Sequence, residues 1–77
     1  MKQKNARPLS EVAEGEMVKV LSIDSGRGLK SRLTAMGILP KAELKVLRNS
    51  GRGPFVIGIK ASRTVLGRGV VEKIMVV

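Results

Sequence analysis

Glu11, Glu14 and Glu16 crowd one short stretch, and carboxylates at that spacing are the ingredients of an oxygen-rich cation site. On a bend, three such groups are more often hydrated separately. Weak metal binding there is left open, and no metal site is assigned. Three Gly-Arg-Gly triplets follow, at Gly26–Gly28, Gly51–Gly53 and Gly67–Gly69. Glycine-rich loops can cradle phosphate, but a P-loop needs G-x-x-x-x-G-K-[ST], and no such run occurs. The favoured reading is turn glycines around a solvent-facing arginine, whose planar fork can still pair with a partner's carboxylate. Met17, Met36 and Met75 read as core or groove-lining thioethers. The chain has neither histidine nor cysteine. That removes the commonest general base, the commonest metal ligand, disulfides and thiolate metal sites. No enzyme and no cofactor is expected from what is left.

The charge balance points outward instead. Fifteen Lys and Arg face six Asp and Glu, for a net charge of +9. Such an excess favours an anionic partner: nucleic acid, an anionic membrane surface or an acidic protein face. The alternative is a surface that is merely soluble. Seventy-seven residues make one domain with a modest core. No apolar run approaches the ~20 residues that span a bilayer. Lys2, Lys4 and Arg7 precede no apolar run, so no signal peptide is read. The expected location is cytoplasmic, at most peripheral at the inner face of the membrane through a partner.

These groups need elements to hold them. Residues 1–7 are expected to be a flexible tail, and 8–77 the folded domain. Arg7 to Ala13 reads as one helical turn or a tight bend with Leu9 and Val12 on one side, ended by Gly15. Met17 to Ile23 is the first strand. Val18 and Val20 share one parity while Leu21 and Ile23 share the other, so either both faces are covered or a bulge near Leu21 shifts the phase. A helix of about two to three turns follows, with Leu29, Leu33 and Met36 at i, i+4 and i+7. Asp24 or Ser25 is the expected cap. Gly37 and Ile38 are placed to close the helix as C′ and C″ of a Schellman stop, with Leu33 as C3, and Pro40 forbids continuation. Later strands are expected at 43–48, 55–60, 63–66 and 74–77, with Ala61-Ser62 as a two-residue turn and a helical turn near 67–73. Gly58 marks a bulge or a close neighbour. The pattern is mainly β: a small SH3-like barrel of about five strands, closed on itself, with a short helix after the first strand and helical turns near the N-terminus and before the last strand.

Pro8-Leu9-Ser10, Gly15-Glu16, Gly26, Arg32-Leu33, Met36-Gly37-Ile38, Pro40, Gly53-Pro54 and Leu66-Gly67-Arg68, in that order and spacing, resemble the FeoA family. These are small proteins of bacterial ferrous-iron uptake, and the family's SH3-like barrel agrees with the strand reading. Two positions depart from it. Lys41 and Ala61 stand where the family usually has glycine. Lys41 is tolerable provided its turn needs no positive φ, and Ala61 implies a turn unlike the family's.

The resemblance implies an accessory or regulatory protein that docks on the cytosolic part of the FeoB-type ferrous-iron transporter, which carries a GTP-binding domain. Ferrous iron prefers imidazole and carboxylate ligands, so a chain without histidine is not expected to carry it. The helix and its ends are the expected contact. Leu29, Leu33, Met36 and Ile38 would form an apolar ridge, with Arg27, Lys30 and Arg32 as a basic rim. Of the four, Leu33 and Ile38 most readily serve the core instead. The alternative is an RNA-binding barrel, because Gly15 to Leu21 followed by Gly26 superficially resembles the KOW element. The absence of Trp and Tyr opposes base stacking there. Weak self-association is a third possibility, given the apolar strands.

Overall fold

The structure, a computed structural model, describes residues 6–77. Most of the tail expected over 1–7 lies outside the described residues. Arg7, at its end, is in β1.

Six strands and two helices follow one another as β1 (Arg7–Pro8), a 3-10 turn (Leu9–Glu11), β2 (Met17–Ile23), α1 (Arg27–Ala35), β3 (Glu43–Arg48), β4 (Phe55–Ile59), β5 (Ser62–Leu66), α2 (Arg68–Val71) and β6 (Ile74–Val76). The five strands expected are present. The sixth, β1, is two residues long and contains a proline, so it has no alternation to read. It exists because Arg7 and Pro8 meet Val76 and Met75 of β6.

All pairings are antiparallel, in the order β1-β6-β2-β3-β4-β5. The sheet is therefore not closed by hydrogen bonds as expected: β1 and β5 are its ends. A two-residue strand cannot supply a full seam to a five-residue one. The curl is real nonetheless, because all 16 buried apolar side chains fall into one cluster, which a flat sheet of this order could not gather. Pro8 at one end and exposed Arg63 at the other blunt the free edges.

Of the two readings of the phase change in β2, the bulge is the one that holds. Val20 faces Val76, Ser22 faces Met75 and Ile23 faces Ile74, so one extra residue sits in β2 between Val20 and Ser22. That slip turns Ile23 inward with Val18 and Val20. A second irregularity lies in β3 between Val46 and Arg48, leaving Leu47 out of the ladder to β4. Phe55, Ile57 and Ile59 all point inward, as their alternation requires.

Neither Asp24 nor Ser25 caps α1. Gly26 is the N-cap, and no side chain bonds to the first turn. The stop is as expected: Gly37 has φ +91°, its N–H donates to the Thr34 carbonyl at 2.9 Å, and the Ile38 N–H donates to the Leu33 carbonyl at 2.8 Å. The β4–β5 turn is Lys60-Ala61, one residue earlier than expected, because Ile59 pairs with Ser62.

Candidate functional site

No polar or charged side chain among the described residues is buried, and none is left buried without a partner. The chemistry of the chain is therefore a matter of its surface. Two regions of that surface stand out.

The first is α1 with its C-terminal stop. Arg27, Lys30 and Arg32 are all exposed, and the helix carries no acidic residue. Leu29 is half-buried against the core, and Met36 is 40% exposed. The other two ridge residues must be reassigned. Leu33 is 2% exposed and Ile38 0%, so both are core and neither can touch a partner. The Schellman stop is the cause: its bond from Ile38 back to Leu33 folds the chain inward at that point. What is left outside is Leu29, Met36 and neighbouring Leu39, bordered by three cations.

The second region was not singled out from the sequence. On the outer face of the sheet, Met17 of β2 faces Lys45 of β3, Lys45 faces Gly58 of β4, and Gly58 faces Arg63 of β5. In the adjacent row Arg48, Val56 and Val65 line up across β3, β4 and β5. In β4 and β5, Val56 and Val65 alternate with more buried neighbours and point away from the core. Only the register shows that they meet each other and a row of cations.

The three acids near the N-terminus do not converge. Glu16 pairs with Arg7 at 2.6 Å, and a Glu14 carboxylate oxygen accepts the Asn49 backbone N–H at 2.8 Å. Among the described residues no three His, Cys, Asp or Glu side chains are placed to share a metal ion.

The Gly-Arg-Gly triplets do not all behave alike. Arg27 and Arg52 are exposed as expected, but Arg68 is not solvent-facing. Its Nε and Nη2 donate to the Gly53 carbonyl at 3.1 and 3.0 Å, and its Nη1 donates to Asn49 Oδ1 at 2.8 Å. The guanidinium carbon lies 5.4 Å from the centroid of the Phe55 ring, within cation–π range. Asn49 Nδ2 in turn donates to the carbonyls of Ser10 and Val12. This clip ties α2, the β3–β4 loop and the N-terminal turn together, so Arg68 is structural.

The Lys41 expectation is also corrected. The turn does need a positive φ, and Lys41 adopts it at +76°.

This geometry is that of a small SH3-like domain with an apolar interior and cationic outer faces. Comparison with known proteins agrees. The chain belongs to the FeoA domain family, whose model matches residues 7–77. It is 48% identical over 69 residues to a Methanocaldococcus jannaschii protein named "Putative Fe(2+) transport protein A", covering 90% of this chain and 83% of that one. The crystal structure of an iron uptake regulatory protein, FeoA, superposes with a TM-score of 0.86 at 32% identity, covering 92% of this chain and 95% of that one. FeoA of Stenotrophomonas maltophilia, solved with zinc and described as a prokaryotic SH3 domain protein, shares the fold with a TM-score of 0.79 at 19% identity, over 90% and 87% of the two chains.

Proposed function

We propose that this chain is an accessory protein of ferrous-iron uptake that acts by contact. It docks on the cytosolic part of the FeoB-type transporter and is neither an enzyme nor an iron carrier. Family membership and the relative named for Fe(2+) transport support the pathway. No helix among the described residues is long and apolar enough to cross a membrane.

The observation that carries the reading is the state of the cations. Among the described residues only one ion pair forms, Arg7 with Glu16. Among those residues, no other lysine or arginine lies within 4.0 Å of a carboxylate oxygen. A cationic surface with so little internal neutralisation is suited to steering and holding an acidic partner. Exposed Arg27, Lys30 and Arg32 on α1 are the first candidates.

The test is binding of the purified chain to the transporter's isolated cytosolic domain across a salt series. A salt-sensitive complex is expected, weakened about tenfold by the pair Lys30→Glu and Arg32→Glu, as reversal of rim charges should do. No complex at low salt would refute the reading. Tight, steeply salt-dependent retention of a mixed RNA pool without transporter binding would establish the RNA-binding alternative instead.

A further inference from the structure

The outer face of β2–β5 combines two features that a merely soluble surface does not need together. Its floor is aliphatic and open: Met17 is 62% exposed, Val65 64% and Leu47 40%. Its border is cationic. Leu47, displaced from the ladder by the β3 irregularity, leans over Gly58, so closely that a Cβ at Gly58 would lie 3.3 Å from Leu47 Cδ1. This side chain divides the face into two open grooves. The larger, about 740 Å³, has Lys41, Lys45 and Lys60 around it and one acid, Glu43. The smaller, about 420 Å³, has Pro54, Val56 and Val65 for its floor, Arg48 and Arg63 at its sides, and no acid.

We infer that this face is a docking surface for an acidic protein segment carrying an aliphatic anchor. The anchor seats in the smaller groove against Leu47, Val56 and Val65. Carboxylates on either side of it pair with Arg48 and Arg63, whose planar forks suit bidentate contact. The lysines of the larger groove receive further acids. Charge complementarity selects the occupant: five cations to one carboxylate line the two grooves. Among the described residues, none of the five is engaged in an ion pair. The aliphatic floor separates this occupant from nucleic acid, whose phosphates would gain nothing from it. Base stacking has no platform here either, since Phe55, the chain's one aromatic residue, is 0% exposed. The concave form suits an inserted side chain better than a lipid surface.

The inference deepens the contact reading above and rests on it only for the source of the segment. The binding itself is tested without the transporter. The probe is the capped peptide Glu-Asp-Leu-Asp-Glu, titrated into the full chain and followed by backbone amide NMR. Saturable shifts are expected on β3, β4 and β5, centred on Leu47, Val56 and Val65. Replacing the peptide's leucine by glycine, or the protein's Arg48→Glu with Arg63→Glu, should each weaken binding about tenfold, while Lys30→Glu with Arg32→Glu changes it less than about twofold. Both arginines are exposed, and each reversal removes a cation from a chain of net charge +9, so the double variant should not lose thermal stability. Absence of saturable shifts, shifts centred on α1, or equal affinity for the glycine peptide would overturn the inference. So would tighter binding of an RNA oligonucleotide or of phosphatidylserine vesicles to the same residues. Peptide binding without transporter binding would sink the contact reading and leave this surface standing. Loss of transporter binding in the Arg48→Glu, Arg63→Glu variant would join the two.

Discussion

Lys41 holds a left-handed backbone at φ +76°, and its N–H is locked to the Val20 carbonyl at 2.7 Å. A residue with a Cβ is strained there by ~1–2 kcal/mol. Lys41→Gly removes that strain at the cost of extra freedom in the unfolded chain, ~0.5–1 kcal/mol. The net expectation is a gain of about 0.5–1 kcal/mol, read as a raised urea midpoint with an unchanged slope. The sequence flagged this position through the family's usual glycine, but it could not show which sign of φ the turn would demand. Asn49 is the opposite case. Nothing local marks it, yet its side chain makes hydrogen bonds to Ser10, Val12 and Arg68. Asn49→Ala removes all three and leaves part-buried groups short of partners. A loss of about 2–3 kcal/mol is expected, one of the bonds being to a charged group. Asn49→Asp would restore the acceptor toward Arg68 but not the donors, so its thermal midpoint should fall between wild type and alanine.

Among the elements, α1 was the most legible because its signals are local. Leu29, Leu33 and the Gly37 stop need only helical periodicity and the chemistry of one glycine. Gly37→Ala isolates that chemistry. The nearest atom to a new Cβ is Ile59 Cδ1 at 3.7 Å, an ordinary contact, so space is not the obstacle. The φ of +91° is. A loss of about 1–2 kcal/mol is expected, with a fall in Tm of roughly 5–15 °C for a domain of this size. If the midpoint does not move, the stop does not depend on the left-handed residue. The N-terminal end of α1 shows the limit of local signals. Asp24 and Ser25 are both good cap types, but the Asp24 N–H is drawn to the Lys73 carbonyl at 2.6 Å, next to β6, and the cap falls to Gly26. β2 was half legible: the parity change left two readings, both faces covered or a bulge near Leu21, and the partner that decides for the bulge, β6, lies at the far end of the chain.

At the scale of the whole molecule the net charge of +9 acts on a body with a radius of gyration of 11.4 Å. Cations on such a body are separated by distances comparable to the Debye length, which falls from about 30 Å at 0.01 M salt to about 8 Å at 0.15 M. With one ion pair among the described residues, repulsion outweighs attraction. Stability is therefore expected to rise over that salt range, measured as an increasing thermal midpoint in sodium chloride. A falling midpoint would mean that unrecognised attractive pairs dominate. Partner binding should move the other way and weaken with salt, so the two trends separate folding from docking in one titration series. The residue order alone determined that Phe55, Ile57 and Ile59 share one face of a strand, where the helix stops, and that the charge excess must act at the surface. Each of those follows from a period of two or 3.6, one glycine, or a sum over the chain. Only the tertiary structure decided that Arg7 and Pro8 form a sixth strand, that Leu33 and Ile38 are lost to the core, that Arg68 is an internal clip, and that Met17, Lys45, Gly58 and Arg63 share a row. Those outcomes depend on strand register and loop closure between residues far apart in sequence, and no local pattern encodes them.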